Sequence, residues 1–378
     1  MKRISRREFL KSTGAAVGVF IVASCTPGPL TITPPNRSVT STATETIPPL
    51  PASTSTQSPT ETLNLPKFST STPWPTPEIK LYRRPELIRF FPDGKSRMVK
   101  SSDAKVWDGE TLNSELLCKL LDGAVTHLTS LTDGKEAWQA LFSPNEKIVI
   151  KVNAFRSSLI WTHAPLVYAL IDRLTAAGIP AENITIYDYY TSELKTAGYT
   201  INQDGPGVRC YGTDHAYTMN WRLGGTMHKI SDILVAADAI INIPVLKVHD
   251  ITGITFALKN HYGSVQAPSW LHTMPNDLVS LNESPFIKNA TRLVIGDILG
   301  ASIDPRQWLE DVKGDSILMS YDPLAVDWIG LDILRSFNAS FKDENSYVSA
   351  LSSRWMDVAQ KAGIGAADLK EIELISDI

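Results

Sequence analysis

Three clusters of polar residues interrupt otherwise apolar runs in this chain, and their residue types suit acid–base chemistry on a small anion. The first is Lys151-Val152-Asn153, with Arg156 just beyond it. The second and richest spans 241–263 and holds Lys247, His249, Thr252, Thr255, Lys259, Asn260 and His261, with glycines at 253 and 263. The third is carboxylate: Asp297 after an apolar run, then Asp322-Pro323 and Asp327. An imidazole near a lysine ammonium has its own cationic form disfavoured and stays available as a base near neutral pH. His249 is therefore the candidate base, with Lys259 and Lys247 as catalytic stabilisers of negative charge. Lys151, Asn153, Thr252 and Asn260 are the candidate substrate contacts. Asp297 and Asp327 are the candidate ligands of a divalent metal, although their spacing matches no compact metal motif. Asp322, before a proline, reads as a helix N-cap. Asp327 falls on a largely apolar helix, where a buried carboxylate calls for a basic partner or a metal. His163 and the histidines at 215, 228 and 272 read as structural.

The elements that must position these groups alternate between two periods. Lys147–Val152 reads as a buried strand, His163–Ala177 as an amphipathic helix stopped by Gly178, and Ile184–Tyr187 as the next strand. Ala239–Ile243, Leu293–Ile295 and Ile317–Met319 supply further strands, and Pro323–Arg335 another helix. Such alternation predicts an α/β fold, a mostly parallel sheet flanked by helices, in one lobe or two, with ligand sites at the carboxyl ends of strands. The turn Thr252-Gly253 is expected to lead into a helix from about Ile254 to Asn260, whose first amides are free to bind an anion.

The polar clusters resemble the recurring segments of the domain of unknown function 362 (DUF362) family. They are Lys151-Val152-Asn153, Asp238 through His249, Thr252 through Gly263, and Asp322 through Asp327, giving a family core of about 145–335. The resemblance implies an α/β domain, often accompanied in that family by ferredoxin-type cysteine clusters. A more distant similarity in fold is to the nickel-pincer lactate racemases. It is carried by the order of residues 165–186, Leu223-Gly224-Gly225-Thr226, residues 236–242, and His249 followed by Lys259. That resemblance implies proton transfer by histidine and a lysine that carries the cofactor. The segment Tyr187-Asp188-Tyr189-Tyr190-Thr191 departs from it, standing where those enzymes have a histidine.

Composition narrows the function classes. Cys25, Cys118 and Cys210 are the only cysteines, too few for a four-thiolate iron–sulfur cluster, so no such cofactor is expected. A disulfide between Cys118 and Cys210 and a buried thiol at Cys118 both remain open. The formal charge is −4, and an acidic chain does not suit nucleic acid, whose binding requires a basic face.

The first residues read as an address. Ser5-Arg6-Arg7-Glu8-Phe9-Leu10-Lys11 fits the twin-arginine export pattern, and Val22-Ala23-Ser24-Cys25 fits a lipobox. Residues 1–24 are thus expected to be a signal peptide, with Cys25 lipidated and anchored at the outer face of the bacterial cytoplasmic membrane or in the cell envelope. Residues 26–80 contain 12 Pro, 14 Thr and 7 Ser, a composition that favours a disordered stalk over a packed core. The stalk is taken as 25–80 and the α/β domain as 81–378. Two function classes fit: an acid–base enzyme on a small anionic substrate, or a non-catalytic lipoprotein that binds a solute or serves a membrane complex.

Overall fold

Period-two alternation of β-branched residues builds the sheet. Ile148, Ile150 and Val152 join one hydrophobic core with Ile241, Ile243, Leu293, Ile295, Ile317 and Met319. The intervening Val149, Ile240, Val294 and Leu318 belong to a second core on the opposite face. A sheet apolar on both faces must be covered on both, and helices do so. The computed structural model describes residues 95–376, apart from 156–158, 273–274, 306–308, 342 and 344–345. These residues belong to one compact unit, Trp74–Ile378, so the second lobe allowed by the sequence is not a separate body.

Among the described residues the main sheet has ten strands. They are β1 (Ser96–Ser102), β2 (Ile148–Val152), β3 (Ile184–Tyr187), β4 (Arg209–Cys210), β5 (Ala239–Ile243), β6 (Val245–His249), β7 (Gly253–Thr255), β8 (Thr291–Ser302), β9 (Val312–Ser320) and β10 (Ile372–Ile375). The order is β10-β1-β9-β8-β5-β2-β3-β4, with β6 paired to β8 and β7. Strands β8, β5, β2, β3 and β4 run parallel, whereas β9 is antiparallel to β8 and β1. Pro244 separates β5 from β6. The long β8 pairs with β5 through Val294 and with β6 from Asp297.

Helices α1 (Ser114–Thr129), α2 (Gly134–Leu141) and α3 (Ala164–Ala176) cover the first face. The other face carries the single turn α4 (Ala257–Asn260), α5 (Pro323–Phe337) and α6 (Tyr347–Lys361). Asn113 and Asp133 cap α1 and α2 with their side chains, and Asp322 caps α5 through the amides of Leu324 and Ala325, as its place before a proline predicts. The helix expected over 254–260 is shorter than the sequence suggested. Residues 253–255 instead form β7, which returns along β6 with Lys247 opposite Thr255. Cys118 and Cys210 are free thiols, Cys210 buried and Cys118 half-buried, so they form no disulfide and Cys118 is less enclosed than its apolar pattern implies.

The β6–β7 turn depends on Gly253, whose φ is 77°. A Cβ there would also run into the Val348 carbonyl and the Ser352 side chain of α6. Gly253→Ala is therefore expected to lower stability by about 1–3 kcal/mol from backbone strain alone, with the clash adding to it. Urea denaturation of the variant beside the parent chain measures this, and an unchanged midpoint would contradict it.

Candidate lysine and asparagine site

Lys151 points to the second face of the sheet, the reverse of Ile150 and Val152, and is fully buried. Its register partners are Asn242 on β5 and Tyr187 on β3. A polar row thus crosses three adjacent strands. The Lys151 Nζ donates to Asp188 Oδ1 at 2.6 Å, to the Val152 carbonyl at 2.6 Å and to Asn260 Oδ1 at 3.4 Å. Asp188 accepts from the Ala154 amide through its other oxygen at 2.6 Å. The Asn260 amide donates to Asn242 Oδ1 at 2.7 Å and to the Lys151 carbonyl at 3.2 Å. Asn242 in turn donates to the Ala257 carbonyl at 2.8 Å. Every member of this row is held by a neighbour, as buried polar groups require.

Lys247 and Lys259 approach the same cluster from β6 and α4. The Lys247 Nζ donates to Asn153 Oδ1 at 2.6 Å and to the Ile160 carbonyl at 3.5 Å, while the Asn153 amide donates to Asn260 Oδ1 at 3.4 Å. The Lys259 Nζ lies 3.2 Å from both Thr252 Oγ1 and Thr255 Oγ1. Burial pushes Lys247 down to about 7, with Asp188 opposing and Lys151 reinforcing. Burial and then the Lys247 charge push Lys259 well below the usual lysine range. Burial also lowers Lys151, against the pull of Asp188. The arrangement is rich in cationic donors and poor in counter-charge, which is the electrostatics of an anion site.

Lys151, Asn153, Lys247 and Asn260 form one hydrogen-bonded group, and Lys259 joins Thr252. His249 stands nearer the turn of β6, where its Nδ1 accepts from the Ile251 amide at 3.0 Å and lies 3.0 Å from the Asp250 carboxylate. Asp327 differs from expectation. Among the described residues it has neither a basic partner nor a metal-type neighbour; its two oxygens accept from the amides of Ala257 and Leu258 at 2.6 and 3.0 Å. Burial raises it to about 7 against the pull of those amides. The amides that the sequence offered to an outside anion are thus taken by Asp327 itself. Asp297 lies toward the first face, with Leu293 and Ile295, and Asp327 toward the second. Among the described residues no three His, Cys, Asp or Glu side chains gather as metal ligands. Cys25, Arg6, Arg7, Arg156 and the stalk lie outside the described residues.

Two functional-type groups escaped sequence reasoning. Asp188 follows β3 directly, and a strand-end carboxylate is a readable signal. His163 had none, since its partner is distant in the chain. At the start of α3 its backbone amide and its Nδ1 each meet Asp297 Oδ2 at 2.8 Å, and its Nε2 lies 3.6 Å from Glu310. Burial alone would lower His163, but Asp297 and Glu310 together push it up to about 10. His261 has the opposite surroundings: burial, then Lys151, lowers it to about 3.

Residues 148–332 match the family described as Domain of unknown function (DUF362). No curated protein matches the chain. A Thermotoga maritima protein solved by the Northeast Structural Genomics Consortium aligns at 12% identity and a TM-score of 0.34, over 68% of this chain and 60% of that one. The lactate racemase apoprotein from Thermoanaerobacterium thermosaccharolyticum aligns at 11% identity and a TM-score of 0.36, over 62% and 56% respectively. Each alignment spans less than two thirds of the other chain.

The raised pKa of His163 stabilises the fold fully below the unfolded value of about 6.5, and that contribution is lost as pH rises through about 10. His163→Gln is expected to cost on the order of 3 kcal/mol at the acid end of this window, because it leaves Asp297 buried without its cation. The gap between parent and variant should close above about pH 10. Denaturant titrations of both proteins at the two ends of the window test this, and a gap independent of pH would remove the ion pair as its cause.

Proposed function

From the match of residues 148–332 to the DUF362 family, we propose that the chain is an extracytoplasmic, lipid-anchored acid–base enzyme acting on a small anionic substrate at the lysine and asparagine cluster. The observation that carries this reading is the convergence of Lys151, Lys247 and Lys259, all buried. Among the described residues the only carboxylate that forms an ion pair with any of them is Asp188. Lys151, held by that carboxylate, orients the row. Lys247 is the group suited to exchange a proton, because an amine with a pKa of about 7 is poised between its two forms near neutrality. The amides of Asn153 and Asn260 orient the substrate, and Lys259 adds polarity to the same space. His249, held in its own turn, serves the rim.

A solute-binding protein without turnover is the second reading, favoured by the near-complete enclosure of the lysines. Proton exchange separates the two. In heavy water, small 2-hydroxy and 2-oxo acids are expected to exchange the hydrogen on the carbon next to the carboxylate or carbonyl, followed by proton NMR. The rate should rise with pH through about 7 as Lys247 loses its proton. Lys247→Met should cut it about 10²–10⁴-fold, the usual share of a positioned acid–base group. Binding without exchange would favour the receptor.

Export and anchoring rest on Arg6, Arg7 and Cys25. Cys25→Ala is expected to move the protein from the membrane to the soluble fraction, and paired Arg6→Lys and Arg7→Lys changes to hold it in the cytoplasm. Fractionation in the native host reads both, and membrane retention of the Cys25 variant would contradict the lipid anchor.

A further inference from the structure

We propose that Lys259 is a covalent nucleophile, whose amine condenses with the carbonyl of a small 2-oxo acid to form an imine. This rests on the anionic-substrate reading above and names its substrate class. The hydroxyls around Lys259 are arranged for a neutral amine. Thr252 Oγ1 donates its single proton to the Ile254 carbonyl at 3.1 Å, so toward Lys259 at 3.2 Å it accepts. The Thr255 hydroxyl, also at 3.2 Å, likewise accepts from the Lys259 Nζ. An ammonium carries three protons, one more than these two acceptors take up among the described residues, whereas a neutral amine carries two. No carboxylate among the described residues lies within ion-pair distance of the Lys259 Nζ, and the Tyr262 ring, with its centroid 5.6 Å away, is a weak counterweight. Burial and then the positive charge of Lys247 lower the Lys259 pKa, with Asp250 opposing them. A desolvated lysine beside a second cationic group is the setting that makes an amine nucleophilic at neutral pH.

Access favours the same residue. Lys151 is 0% exposed, but Lys247, Lys259, Thr252, Tyr262 and Thr255 keep 5%, 6%, 7%, 7% and 8%. The Lys259 side of the cluster is thus slightly less enclosed than Lys151. A 2-oxo acid entering there meets the amine with its carbonyl and Lys247 with its carboxylate. The nitrogen–carbon bond forms as the carbonyl oxygen leaves as water with the two amine protons, and no electrons are gained or lost. The imine withdraws electrons from the adjacent carbon and acidifies its proton.

The test is reductive trapping on the full chain: incubation with pyruvate or glyoxylate and cyanoborohydride, followed by intact mass and peptide mapping, with a thermal shift reporting binding of the same acid. One adduct on Lys259, absent in Lys259→Arg, is the expected result. Thr255→Val should slow trapping about tenfold, the equivalent of one hydrogen bond, with circular dichroism checking its fold. Adducts spread over surface lysines, or a thermal shift with no adduct on Lys259, would overturn the imine while leaving the anion site in place. Neither adduct nor thermal shift with any small carboxylate would remove both.

Discussion

An ammonium sealed from water must be given a counter-charge, and Lys151 obtains one from Asp188, with both side chains almost entirely buried. That single ion pair organises its surroundings. Because Asp188 also takes the Ala154 amide, the chain leaving β2 is fixed where Asn153 can meet Lys247. Because Lys151 is held, its carbonyl and its charge are in place for Asn260. Gly263 covers the pair closely, and a Cβ there would strike both Asp188 and Lys151. The cost of burying one charge is thus met by a network beside which the other two lysines, also buried, have pKa values pushed below the usual lysine range.

Carboxylates elsewhere in the fold do mechanical work. Asp327 reaches from α5 to the first amides of α4, so the turn that carries Lys259 and Asn260 is bound to the helix packed behind it. Asp322 caps α5 and also accepts from the Ala366 amide at 2.8 Å. Such bonds satisfy donors that a helix start leaves without partners. They also explain why a four-residue turn, far below the length at which helices persist alone, holds its shape here.

What the sequence made legible follows from local periodicity. Alternation placed β2, β3, β5 and α5 nearly where they stand, and strand-end chemistry marked Lys151, Asn153, Lys247 and Asn260, which the fold brings together. Residues 253–255 were misassigned because Ile254, Phe256 and Leu258 satisfy either a strand or a helix when the run is this short. The pairing of His163 with Asp297 was invisible because the two are separated by 134 positions and meet only through the packing of α3 on the sheet. Asp327 was legible as a buried charge but not as a helix cap, since its amide partners lie 70 and 69 positions away. Local pattern gives the elements, and contacts across the sheet give the roles.

The placement of β1 has a consequence for how the molecule is made. It lies between β9 and β10, pairing antiparallel with the first and parallel with the second, both of which are translated long after it. A nascent chain therefore carries β1 with both edges unpaired through most of synthesis, a state open to mispairing with other chains. One edge of β1 finds its partner once β9 is made and the other only when residue 375 is available, which makes completion of the sheet on that side a late event and fragments shortened before β10 natural clients for chaperones and proteases.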